Sequence, residues 1–183
     1  MTSDVPGPVR RIVVRDEGEK SRIMADGPSP DVRTDPARPG FAATRIWVTD
    51  RTPARLKNVE DALDAPHTIE PPRGGSVCRV VMIPPDAVWQ GKVGPGEVQA
   101  WFAAMGSPGA SSCRPSAPHP YMQKTRSLDF CLILDGEVTL VLDRQEVNLK
   151  AGDTVVQRGT RHAWSNRSGK PCTIAISSHD ARS

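Results

Sequence analysis

The chain has 183 residues, 37% hydrophobic and 25% charged, with a formal net charge of +3. That composition can bury a core, which excludes wholesale disorder, and the length exceeds that of a disulfide-stapled miniprotein. Fifteen glycines and 18 prolines call for frequent turns, and basic residues scattered among acids argue against a nucleic-acid stripe.

Residues 1–9 read as a flexible N-terminus, and residues 10–120 as strands and loops punctuated by 15 of the 18 prolines. Short β-like runs are expected at Arg11–Arg15, Ser21–Ala25, Ala42–Val48 and Ser76–Ile83, the last ending at Pro84-Pro85. Val98, Trp101, Phe102 and Met105 recur at helical spacing and predict a helix over Glu97–Met105, capped by Gly96. Beyond residue 120 only Pro171 interrupts the pattern. Leu128–Leu134 runs into Asp135-Gly136, a hairpin signal, and then Glu137–Leu142 alternates. Gln145–Leu149, Thr154–Gln157, His162–Asn166 and Cys172–Ser177 complete a series of short strands with a turn every 8–12 residues. Such a series marks an antiparallel sandwich or barrel.

Cys78, Cys113, Cys131 and Cys172 show no CxxC spacing, and two of them lie in apolar runs. Free thiols fit this better than zinc or disulfides. The first twelve residues lack the apolar stretch of a signal peptide, and no segment approaches the ~20 apolar residues of a membrane span. A cytoplasmic protein without a membrane partner is therefore expected.

Residues Asp129 to Val138, then Gly152-Asp153, then Gly159 to Asn166 resemble the conserved barrel of the cupin family. Gly159, His162 and Asn166 keep a G-x2-H-x3-N spacing, and Gly136 falls seven residues after Asp129. The resemblance implies an all-β double-stranded β-helix, or jelly roll. It would comprise one domain over 1–183 with its barrel core at 121–179, extra N-terminal strands and one or two short helices. It also implies a lumen that binds a metal or a small molecule, and a homodimer built through N-terminal strands.

Under that resemblance the family's metal ligands are mostly replaced: Gln123 and Thr125 stand where two histidines belong, Asp129 where a glutamate belongs, and His162 is retained. Gln123, Thr125 and Asp129 share strand parity, so a regular strand would point them to one side. One imidazole, one carboxylate, an amide and a hydroxyl make a poor set for iron, manganese, zinc or nickel. Two alternatives stand beside a metal: Asp129 accepts hydrogen bonds from Gln123, Thr125 or Arg126 in a polar lumen, or His162 pairs with Asp129 as an acid–base couple. Trp164, two residues after His162, is a core filler or a lid over a flat ligand. His119, between Pro118 and Pro120, reads as a surface-loop residue or a replacement ligand; Cys113 reads as loop packing.

Two functional classes stay open. In one, Gln123, Thr125, Asp129, His162 and Trp164 line a lumen for a small carboxylated or aromatic compound. In the other, Asp129 and His162, with Gln123 or His119, hold a divalent metal for an oxygenase, decarboxylase or isomerase.

Overall fold

The structure is a computed structural model, and it describes residues 7–56 and 62–182. Most of the expected flexible N-terminus, residues 1–6, lies outside the described part. Eleven strands follow in order: β1 (Arg10–Glu17), β2 (Lys20–Pro28), β3 (Val32–Thr34), β4 (Ala42–Thr49), β5 (Ser76–Ile83), β6 (Ser127–Asp135), β7 (Glu137–Val141), β8 (Glu146–Lys150), β9 (Thr154–Arg158), β10 (Ala163–Ser165) and β11 (Cys172–Asp180). The helix α1 covers Pro95–Ala104. The fold is an all-β jelly roll: a six-stranded sheet in the order β3-β4-β5-β11-β6-β9 faces a three-stranded sheet, β10-β7-β8. The β1-β2 hairpin forms a separate two-stranded sheet.

Strict alternation explains the large sheet. Val77, Arg79, Val81 and Ile83 are buried along β5, as are Ser127, Asp129, Cys131 and Ile133 along β6. Their neighbours Phe130, Leu132 and Leu134 face outward and are exposed. Val81, Ile83, Cys131 and Ile133 share a core with Val138, Leu140, Leu149 and Trp164 of the small sheet and with Val98, Trp101 and Phe102 of α1, while Val77 packs with Val48 and Ala62. Each fully buried side chain of this kind contributes about 1.5–3 kcal/mol.

The helix begins two residues before its expected start. Gly94, not Gly96, is the cap, and Pro95 occupies the first turn, where its missing N–H costs nothing. The Glu97 carboxylate accepts the Gly94 N–H at 2.9 Å. Strand β3 had no expectation behind it, since all three of its residues are exposed and carry no periodic signal. Among the described residues no helix is long and apolar enough to cross a membrane.

Candidate functional site

Gln123 and His162 are locked together. Each backbone N–H donates to the other's carbonyl, at 2.8 and 3.0 Å, and the Gln123 amide nitrogen sits 3.0 Å from His162 Nε2. The other ring nitrogen, Nδ1, lies 3.0 Å from the Thr160 carbonyl, which can only accept. The Nδ1 atom therefore carries the proton, and the Nε2 lone pair takes the amide N–H. Burial lowers the His162 pKa below its ordinary value, against the opposing pull of the Thr160 carbonyl and of Asp129. A neutral imidazole results. The Trp164 ring stands edge-on, 6.0 Å away.

The expected single wall of Gln123, Thr125 and Asp129 does not form, because no regular strand joins them. Gln123 makes isolated bridges to Ser111 and His162, and β6 begins only at Ser127. The Thr125 hydroxyl instead pairs with that of Ser127 at 2.8 Å. Asp129 is buried, yet none of Gln123, Thr125 and Arg126 bonds it: Arg126 pairs with Asp180, and Asp129 Oδ1 has no partner. His162 and Asp129 interact through charge but form no hydrogen bond.

His119 is a correction to the surface-loop expectation. It is buried against Trp89 and Tyr121, its Nδ1 accepts the Tyr121 N–H at 3.1 Å, and burial pushes its pKa down to about 4. His67 is paired with Asp31 at 3.0 Å, and His179 with Ser177 at the same distance. The four cysteines are free; Cys131 and Cys172 are buried with pKa values raised to about 12 by burial, and Cys113 is exposed.

Between the sheets lies a cavity of about 70 Å³, which Gln123 and Trp164 reach, with rings from Phe41, Trp101 and Tyr121. Two arginines missed as site residues also line it, Arg38 and Arg79. Arg38 is neutralised locally: it bonds Asp35 at 2.7 Å and lies 3.5 Å from the Tyr121 ring centre and 4.0 Å from that of Phe41. Arg79 is not. Its Nη2 donates only to the carbonyls of Ile69 at 2.6 Å and Thr68 at 3.3 Å, and among the described residues no carboxylate bonds it. Burial lowers its pKa to about 10, with Asp129 pulling the other way. The signal for Arg79 was present in the sequence as strand parity, since it alternates with Val77, Val81 and Ile83.

The residues do not fit a tightly held transition metal. Among the described residues no three His, Cys, Asp or Glu side chains converge. The one imidazole at the site has its Nε2 lone pair committed to Gln123. What remains, a carboxylate and an amide, is a weak donor set for such ions.

Comparison with known proteins adds a family. Phomopsin biosynthesis cluster protein C' of Diaporthe leptostromiformis is 56% identical over 48 residues, 26% of this chain and 25% of that one. The cupin-domain-containing oxidoreductase virC of Hypocrea virens is 28% identical over 131 residues, 69% of this chain and 51% of that one. The matches thus span about a quarter to a half of the length of these curated relatives. A solved Cupin 2 conserved barrel domain protein from Salinispora arenicola superposes with a TM-score of 0.43 at 14% identity, over 82% of each chain. Residues 108–177 match the family model described as the cupin domain, so this stretch of the chain is a cupin domain.

Proposed function

We propose that the barrel binds a small organic carboxylate without a metal, its carboxylate on Arg79 and its body against the rings of the lumen. The observation that supports this is Arg79 itself. A guanidinium out of water is costly unless an anion meets it, and this one is bonded only to neutral carbonyls. Arginine presents a planar fork of donors that matches a carboxylate. Phe41, Trp101, Tyr121 and Trp164 supply flat apolar surface beside it. A cavity of about 70 Å³ has room for roughly five waters, so the ligand has about ten non-hydrogen atoms or fewer. Gln123 then serves as polar lining, with His162 bonded behind it.

Benzoate is a suitable probe of that size. Calorimetric titration should detect binding to the intact protein, and Arg79→Met, which keeps the stem and removes the charge, should weaken it at least about tenfold. Benzoate affinity unchanged in Arg79→Met would sink this reading. The metal-enzyme alternative draws on the similarity to virC, which is named an oxidoreductase; the committed Nε2 of His162 weighs against it.

The homodimer belongs to the same reading. The β1-β2 hairpin exposes Ile12, Val14 and Ile23, and the large sheet exposes Phe130, Leu132 and Val156. A second copy laying its hairpin on that face would cover both. Sedimentation should give a dimer that Val14→Glu dissociates; an unchanged dimer in that variant would exclude the hairpin.

A further inference from the structure

The inner face of the large sheet carries two buried charges that never touch. Register fixes them. One row across the sheet runs Val77, Ser178, Asp129, Gln157; the next runs Arg79, Ile176, Cys131, Val155. Asp129 and Arg79 therefore stand two strands and two residues apart, about 12 Å between Cα atoms at the usual strand spacings. Arg79, which lines the cavity, senses the Asp129 charge, as do Cys131 and His162.

Beside it is a second unmet group. Asp129 Oδ1 is a buried acceptor without a donor, and Gln157 Nε2, on the residue directly opposite, is a buried donor without an acceptor. Thr160 Oγ1 donates to Gln157 Oε1 at 3.1 Å, which fixes the amide's orientation and leaves its N–H groups as the free side. Both residues are more than nine-tenths buried. Buried polar groups are almost always bonded. An unmet acceptor on one residue and an unmet donor on its cross-strand partner complement a group that both gives and takes a hydrogen bond, such as a hydroxyl. An ammonium could serve only Asp129, and an ether or carbonyl only Gln157.

We infer that the lumen ligand is a small hydroxycarboxylic acid, its carboxylate on Arg79 and its hydroxyl between Asp129 and Gln157. This rests on the carboxylate-binding reading and deepens it. The two anchors explain why the opposite charges are held apart by Ile176 and Cys131 rather than paired directly: the ligand spans the gap. A site built to bond a hydroxyl discriminates strongly against the analogue that lacks it, because its own polar groups are then left unpaired.

The test compares benzoate with 2-, 3- and 4-hydroxybenzoate by calorimetric titration at neutral pH. At least one hydroxy isomer should bind about tenfold or more tighter than benzoate. That preference should fall to about twofold or less in both Asp129→Leu and Gln157→Leu. Thermal melts check folding, and if Asp129→Leu fails to fold, the selectivity of Gln157→Leu decides. Benzoate binding through Arg79 with no hydroxy isomer preferred would overturn the hydroxyl anchor alone and indicate an internal water between Asp129 and Gln157. Absence of binding by all four acids would overturn the carboxylate reading and this inference together.

Discussion

Gln123 and His162 hold each other through three hydrogen bonds, two between backbones at 2.8 and 3.0 Å and one between side chains at 3.0 Å. The backbone pair would survive a change of side chain at 123, so the contact between the side chains can be altered without losing the bridge. It also means that the one histidine at the site spends its basic nitrogen on a neighbouring amide.

Metal affinity should follow from that bond. Wild-type protein dialysed against chelator and then soaked in zinc, nickel, manganese or iron should hold well under one equivalent by elemental analysis. Gln123→His replaces the blocking amide with a second imidazole beside His162 and should raise affinity for zinc or nickel at least about tenfold. One tightly held equivalent in the wild type, lost in His162→Ala, would reverse the conclusion about the donor set.

Stability should fall as the solution is acidified below neutrality. His67, His119 and His162 all have pKa values below 6.5, with burial as the largest cause. As pH drops through 6.5 the unfolded chain takes up protons that the folded chain refuses, so this stability is fully present above 6.5 and is lost on the acid side. Each such histidine removes about 1.4 kcal/mol per pH unit in that window. For His119 the window extends from 6.5 down to about 4, with burial opposed by Asp86 and Glu146 and reinforced by Arg38 and Arg167. Urea unfolding at pH 7.5, 6.0 and 5.0 should show the decline. His119→Asn retains an acceptor for the Tyr121 N–H and should flatten the slope; an unaltered slope would mean that His119 protonates freely in the fold.

Two turn glycines should differ sharply in their tolerance of alanine. Gly136 has φ +77°, and a Cβ there would lie 2.6 Å from the Pro171 carbonyl oxygen and 3.0 Å from Cys172 Cα. Gly152 has φ +93° with nothing within 4 Å of the same position. Gly152→Ala carries only the conformational cost, about 1 kcal/mol, whereas Gly136→Ala must also move backbone and should cost about 3 kcal/mol. Equal costs in chemical denaturation would contradict the close approach of the 171–172 backbone.

Asn166 should prove structural. Its side chain donates to the carbonyls of Ile83 at 2.9 Å and Lys170 at 2.8 Å and accepts from the Ser168 backbone N–H at 3.0 Å, while Asp86 accepts its backbone N–H. Asn166→Ala leaves several buried partners unmet and should cost about 2–4 kcal/mol. Benzoate affinity measured well below the lowered melting temperature should be unchanged; a selective loss of binding would give Asn166 a place in the lumen site.

The sequence by itself determined every strand but β3, and the helix to within two residues at its start. Alternation along Ser76–Ile83 and along Ser127–Asp135 is a local consequence of side chains pointing to opposite faces, and Asp135-Gly136 marks its own turn. It also marked His162 and Asp129 as buried polar positions of interest. It gave no warning of the break between Gln123 and Ser127, where an isolated bridge on both sides of Gln123 replaces a continuous strand. The burial of His119 was equally hidden, since flanking prolines signal a loop but not what packs over it. Arg79, Asp129 and Gln157 come together only because β5, β11, β6 and β9 align in one register. Those strands lie far apart along the chain, so the pairing that builds the site depends on long-range hydrogen bonds that local patterning does not encode.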